Sequence, residues 1–278
     1  MTNKIKFSFF FAIMVLATII ASCDKVSPPF DETGSGGNPN PDVTVQKVLI
    51  EDFTGHTCKN CPAASKIAEN IQKAYPGRVV VMAIHSGFYA DTGATGNFTY
   101  NFRIPEGQQI SDDFGISSWP NGMVNRRKYN GSPITGKDSW SSHTGLWLQE
   151  TPKASIKISN VYNDATRNIT TTVTSKALKD LTGQYKLAVF YTEDSIIKPQ
   201  IVDNTTVLDY VHMHALRGAF NGAYGEVVMN NPATNDSIVK TYSLTLRADA
   251  VAKNCHVVAY IIDETSKEII QVEEKEMK

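Results

Sequence analysis

The sequence predicts two folded parts: an α/β unit over residues 46–150 and an all-β unit over 151–278, the latter an antiparallel sandwich of immunoglobulin-like type. A strand-like run, a helical run and a second strand-like run follow one another between Lys47 and Ile84. After Thr151-Pro152, short runs with a period of two replace all helical spacing. The composition supports folding, because 41% of the 278 residues are hydrophobic and 20% charged. Lys+Arg total 27 against Asp+Glu 28, a formal charge of −1, so there is no basic excess to draw the chain to nucleic acid.

The first 22 residues read as an address. Lys4 and Lys6 precede an uncharged run from Phe7 to Ile20, which ends in the small residues Ala21 and Ser22 before Cys23. That run spans roughly 21 Å as a helix, short of a ~30 Å hydrocarbon core, so cleavage fits it better than a stable span. Ile20-Ala21-Ser22-Cys23 resembles the bacterial lipobox. The resemblance implies a mature N-terminus at Cys23 and anchoring in a membrane through acyl chains on that residue. Residues 23–45 then form a tether, rich in proline and glycine between Ser27 and Asp42.

Within the α/β unit, Val48-Leu49-Ile50 and Phe53 predict a strand. Ala64, Ile67, Ala68 and Ile71 mark the inner face of a helix over Cys58–Tyr75. Arg78–Ile84 is a β-branched run suited to a strand covered on both sides. Residues 87–109 have weak periodicity and read as an insertion. A short helix at Ile110–Phe114, a strand at Gly122–Arg127 and a closing helix at Lys137–Glu150 complete the unit. In the second unit, strands are expected at Ala154–Ile158, Ile169–Val173, Tyr185–Tyr191, Val211–Phe220, Tyr242–Leu246, Cys255–Ile262 and Glu268–Val272.

Cys58-Lys59-Asn60-Cys61 is the sharpest chemical signal. A zinc site would want a second close Cys or His pair, which the chain lacks, and a bridge closing so small a loop removes little entropy from the unfolded state. A redox pair at a helix N-terminus explains more. Unpaired N–H groups and the helix dipole would stabilise a thiolate on the first, more exposed cysteine, with Lys59 adding positive charge. His212 and His214 would share one strand face, open either to a metal or to packing, and no third ligand accompanies them. No metal or cofactor is expected. Cys255 alternates with Val257, Ala259 and Ile261, the pattern of a buried free thiol.

Residues 48–61, from Val48-Leu49-Ile50-Glu51-Asp52-Phe53 to the Cys-X-X-Cys pair, resemble the strand, loop and redox motif of the thioredoxin superfamily. Phe114-Gly115-Ile116-Ser117-Ser118-Trp119-Pro120 resembles that superfamily's cis-proline segment. The resemblance implies Cys58 as nucleophile, Cys61 as resolving cysteine, Asp52 as buried proton acceptor, and Trp119 and Pro120 as part of a substrate groove. Thr57 and Lys59-Asn60 depart from the usual Trp and Gly-Pro, so no redox potential carries over.

The layout of lipobox, tether, α/β unit and β unit, with Tyr210–Gly222 and Val257–Asp263, is similar to the 28-kDa outer-membrane protein family of Bacteroidetes. This implies a lipid-anchored envelope protein, most simply in the outer membrane. Two functions stay open. One is thiol–disulfide exchange with extracytoplasmic protein thiols or disulfides. The other is a binding or scaffold lipoprotein with a structural or relic Cys pair and a protein partner on the β unit.

Overall fold

The computed structural model describes residues 44–278, so the address, Cys23 and most of the tether lie outside the described residues. The chain runs β1 (Val48–Thr54), α1 (Cys61–Ala74), β2 (Val79–His85), α2 (Pro105–Asp113), β3 (Asn121–Val124), β4 (Ile134–Thr135) and α3 (Trp140–Trp147). The β-rich remainder is β5 (Ala154–Asn163), β6 (Asn168–Ala177), β7 (Gln184–Glu193), β8 (Ile196–Ile197), β9 (Gln200–Val202) and β10 (Thr205–Val207). It ends with β11 (Val211–His212), β12 (Ala215–Ala219), β13 (Glu226–Asn230), β14 (Ser237–Thr245), β15 (Cys255–Asp263) and β16 (Ile269–Glu276).

The expected β-α-β unit is present, with β1 and β2 parallel in the register Val48↔Val79 to Thr54↔His85. Alternation sends Val48 and Ile50 to the side covered by α1 and α3, where they meet Ala64, Ala68, Ile71 and Trp140. Leu49, Phe53, Met82 and Ile84 face the other way, toward Ile110 of α2.

The expectation of a separate β-sandwich after residue 150 is overturned. One nine-stranded sheet takes the order β16-β15-β7-β12-β2-β1-β3-β4, with β13 also on β7. β12 fills the edge of β2 that a free α/β unit would expose: Ala215 pairs with Ala83, and the Ala83 N–H donates to the His214 carbonyl at 2.8 Å. Residues 44–278 form one compact unit, and one core joins Leu49, Met82 and Ile84 to Phe190, Leu216, Val258 and Tyr260. Two sheets do pack face to face. The three-stranded sheet β14-β6-β5 lays Ile158, Ile169 and Val173 against Leu187, Val257 and Ile261 of the large sheet. The larger partner, however, is a continuation of the α/β sheet.

A buried ion pair is tied across the expected boundary through Tyr260. Glu51 on β1 and Arg126 after β3 both have side chains with no exposure. Arg126 donates to both Glu51 oxygens (2.8 and 2.6 Å) and to the Tyr260 hydroxyl at 3.0 Å, and its guanidinium lies over the Phe114, Tyr224 and Tyr260 rings at 5.1–5.6 Å.

Removing one partner of such a pair strands a buried charge. Arg126→Met should therefore lower stability by about 3–5 kcal/mol, and adding Glu51→Leu should recover most of that loss. Urea unfolding of the two variants checks both signs. A Val43–Glu150 fragment, lacking β12 and Tyr260, should show no cooperative unfolding transition.

Candidate functional site

The site sits where β1 ends and α1 begins. Alternation along β1 aims Asp52 and Thr54 at α1, beside Ala83 and His85 of β2. Ser65 lies one turn after Cys61, and its hydroxyl donates to Asp52 Oδ2 at 2.9 Å. Asp52 is fully buried and its Oδ1 has no partner. Burial pushes its pKa up to about 7, against the lowering effect of the Ser65 bond. At neutral pH this carboxyl is poised to give or take a proton.

Cys58 and Cys61 are joined in a disulfide. The helix starts at Cys61 with Pro62 in its first turn, where a missing N–H costs little, so Cys58 sits in the preceding turn and not in the helix. The Cys61 N–H donates to the Cys58 carbonyl at 3.3 Å. The sequence led us to expect an exposed Cys58 and a deeper Cys61; instead they are 2% and 1% exposed. The β9–β10 hairpin is bonded to this loop. Gln200, 3% exposed, donates from Nε2 to the Cys58 carbonyl at 3.0 Å and to the Gly55 carbonyl at 3.4 Å. The Ile201 N–H donates to the His56 carbonyl at 2.9 Å, and the Asp203 N–H to the Lys59 carbonyl at 3.4 Å. Lys59 is thus engaged as well, its Nζ donating to Asn204 Oδ1 at 3.1 Å.

The Trp119–Pro120 peptide is cis, as the sequence resemblance implied, and it leads directly into β3. Trp119 packs on Gly87, where any Cβ would fall about 2.1 Å from the indole and where φ is +63°. Its ring meets Tyr89 edge-on at 6.0 Å. The Tyr89 carbonyl in turn accepts from the Thr57 N–H (3.1 Å) and hydroxyl (2.9 Å), and its backbone presses so close to Gly55 that a Cβ there would lie 2.4 Å away. Tyr89 therefore couples the Trp119–Pro120 loop to the cysteine loop.

A histidine and aromatic cluster flanks this loop. His85 stacks on Phe102 at 4.2 Å, His212 leans on the same ring at 4.5 Å, and His56 stacks on Phe98 at 5.3 Å. Burial holds His85 well below its usual pKa and lowers His212 to about 4, so both are neutral at physiological pH. His85, His212, Tyr210, Gln200, Ser65 and Glu69 line a cavity of about 20 Å³, room for one water.

His212 and His214 do not share a strand face. β11 ends at His212, and His214, at φ +55°, turns to Asp194, with Nδ1 3.3 Å from its carboxylate. Among the described residues no group of three or more His, Cys, Asp or Glu has metal-binding geometry. Cys255 is fully buried with Val257, Ala259 and Ile261, and burial raises its thiol to about 12. Sequence reasoning missed the 200–207 hairpin, although Asp203-Asn204 between two short β-prone runs is a hairpin signal.

Residues 107–278 match the sequence profile of the family described as outer membrane protein Omp28. Among solved structures, HBP35 of Porphyromonas gingivalis superposes with a TM-score of 0.66 at 20% identity, over 84% of this chain and 76% of that one. Protein AGR_C_4864 from Agrobacterium tumefaciens gives 0.51 at 14% identity, over 85% and 96%. These two share the fold. A domain of the outer membrane lipoprotein Omp28 from P. gingivalis is 25% identical over 46% of this chain and 91% of its own length, with a TM-score of 0.34. No curated protein matches the chain.

Holding a carboxyl at about 7 in place of 3.8 corresponds to about 4 kcal/mol. The folded state keeps a proton that the unfolded chain releases, so stability falls as pH rises from near 4 through 7. Asp52→Asn should therefore stabilise the protein by up to that amount above pH 7 and by almost nothing at pH 4. Urea midpoints for both proteins across pH 4–8 test this, and the difference cancels contributions from His85 and His212.

Proposed function

The chain belongs to the Omp28 outer membrane protein family, and from that premise we propose that it is an envelope lipoprotein whose thioredoxin-like half exchanges thiols and disulfides with extracytoplasmic proteins. The observation that carries this is a disulfide at a helix start whose next turn, through Ser65, bonds a fully buried carboxyl with a pKa of about 7. A bridge kept for stability alone has no use for a costly buried proton carrier.

In the oxidised protein, a partner thiolate attacks Cys58 Sγ. The Cys58–Cys61 bond breaks, its electron pair goes to Cys61 Sγ, and protonated Asp52 supplies the proton that neutralises it. A second partner thiolate then attacks the partner's sulfur in the mixed disulfide. The partner leaves with a disulfide, and the protein is left with a Cys61 thiol, a Cys58 thiolate and an ionised Asp52. Cys58, beside the positive end of α1, is the better thiolate leaving group and, in the reverse direction, the attacking nucleophile. Trp119 and Pro120 border the groove a partner chain would enter.

The low exposure of Cys58 favours a second reading, a structural disulfide in a binding lipoprotein. The outer face of the β14-β6-β5 sheet is where we place a protein partner in either case: Val161 and Val239 stand exposed there, beside hydroxyl pairs such as Thr172 and Thr241. Anchoring is assigned to acyl chains on Cys23. Among the described residues no helix is long and apolar enough to cross a membrane.

Cys61→Ser should trap mixed disulfides with envelope proteins on Cys58, and Cys58→Ser should trap at least tenfold fewer, read on non-reducing gels. A reduction potential below about −300 mV, with no trapping by Cys61→Ser, would select the structural reading. Cys23→Ala should release the protein from the membrane fraction, and unchanged sedimentation would refute lipid anchoring at that residue.

A further inference from the structure

The hairpin over the disulfide is held in the manner of a bound strand. β9 and β10 pair with each other through Ile201↔Thr206 and Val202↔Thr205, and belong to neither large sheet. Asp203 and Asn204 both have positive φ, +46° and +71°, as a two-residue type I′ turn requires. In such a hairpin the Val202–Thr205 pair faces inward, so the N–H groups of Ile201 and Asp203 point away from β10 along the free edge of β9. Those two donors meet the carbonyls of His56 and Lys59, while Gln200 Nε2 spans the carbonyls of Gly55 and Cys58. The cysteine loop thus presents a row of acceptors, and the hairpin supplies donors from alternate residues of a strand.

Lys59 Nζ adds a bond to Asn204 Oδ1, and burial falls off toward the hairpin's tip. Gln200 is buried, whereas Ile201, Val202 and Val207 are half-buried and Asp203–Thr206 are exposed. A two-stranded ribbon of this size is marginal alone, so local opening is cheap beside global unfolding. Any extended polypeptide carries N–H groups at the same alternate spacing, and strand addition to a free edge is a general mode of peptide recognition.

We propose that the carbonyl row of Gly55–Lys59 is a docking edge for an extended polypeptide segment, and that the Gln200–Val207 hairpin occupies it in the resting protein and shields Cys58. The inference rests on the redox reading for its biological meaning. It names the substrate class as an unfolded or extended chain presenting backbone N–H groups beside its thiol. A compact small-molecule thiol would find Cys58 closed.

The test uses the full chain and a small reductant, so it does not depend on any biological substrate. Replacing residues 201–206 by Gly-Gly should speed reduction of Cys58–Cys61 by tris(2-carboxyethyl)phosphine at least tenfold, followed by alkylation and mass spectrometry. Adding the synthetic peptide Pro199–Leu208 in excess should slow it again. The same peptide N-methylated at Ile201 should fail to do so, because it lacks the N–H that meets His56. Gln200→Ala and Ile201→Pro, which remove single donors, should each give a several-fold increase and serve if the shortened protein does not fold. Unchanged rates in folded variants, or equal protection by the N-methylated peptide, would overturn the proposal. Failure of the redox reading would appear separately, as absent trapping by Cys61→Ser with these rates still altered.

Discussion

The charge pair between Glu51 and Arg126 sets the terms for the rest of the molecule. Two ions with no solvent exposure are tolerated only where other groups replace much of their lost hydration, here hydrogen bonds and aromatic faces, although Arg126 Nη1 has no hydrogen-bond partner. Glu51 receives two hydrogen bonds from one guanidinium, and Arg126 spends its next donor on Tyr260, whose ring and those of Phe114 and Tyr224 enclose the charge. Those partners come from β1, from the turn after β3, from the end of α2, from the segment before β13 and from β15. Satisfying one buried charge therefore requires elements on both sides of residue 150 to be in place at once. The extension of the β1–β2 sheet by β12, β7 and β15 is the backbone counterpart of that requirement. A second arginine repeats the device on the far side: Arg217 of β12 is held by Glu193 at 3.0 Å and Asp249 at 2.8 Å. Tyr100 donates to the same Asp249 at 2.6 Å, which ties the 87–109 insertion to the sheet.

Much of the site was legible because it is local. The strand before Cys58, the helix after Cys61, the carboxyl at Asp52 and the cis peptide at Pro120 all follow from short segments whose neighbours in sequence are neighbours in space. Cys255 was legible for a related reason, since alternation along one strand fixes which face a residue takes. The end of β3 was less so. Asn125 and Arg126 both take positive φ, turning the chain out of the strand that the run Gly122–Arg127 implied.

What escaped was everything decided by a partner far along the chain. A run such as Ala215–Ala219 carries the same pattern whether it closes a sandwich or docks beside β2, because strand propensity reports a half-buried surface and not its neighbour. The exposure of Cys58 failed for the same reason. The hydrogen bond that reaches the Cys58 carbonyl from outside its own loop comes from Gln200, more than 140 positions away. His85 and His212 likewise gain their neutral, desolvated state from Phe102 and from each other, across three separate segments.

These long-range contacts also decide where the covering hairpin can move. Its root is pinned on the body side. Ile197 of β8 pairs with Val211 of β11, the Lys198 N–H donates to the Tyr210 carbonyl at 3.1 Å, and His212 Nε2 donates to the Lys198 carbonyl at 3.2 Å. Beyond Lys198 the hairpin bonds to the cysteine loop through donors from Gln200, Ile201 and Asp203 and through the Lys59–Asn204 bond. A displacement that keeps the Lys198 anchor must therefore turn about Pro199-Gln200, and the first contacts it breaks are those with the Gly55–Lys59 carbonyls. Of the residues lining the small cavity beside Ser65, Tyr210 and His212 stay with the Lys198 anchor, and Gln200 belongs to the part that moves. The contacts that hold the cysteine loop on this side therefore come from the half of the chain that the sequence alone assigned to a separate domain.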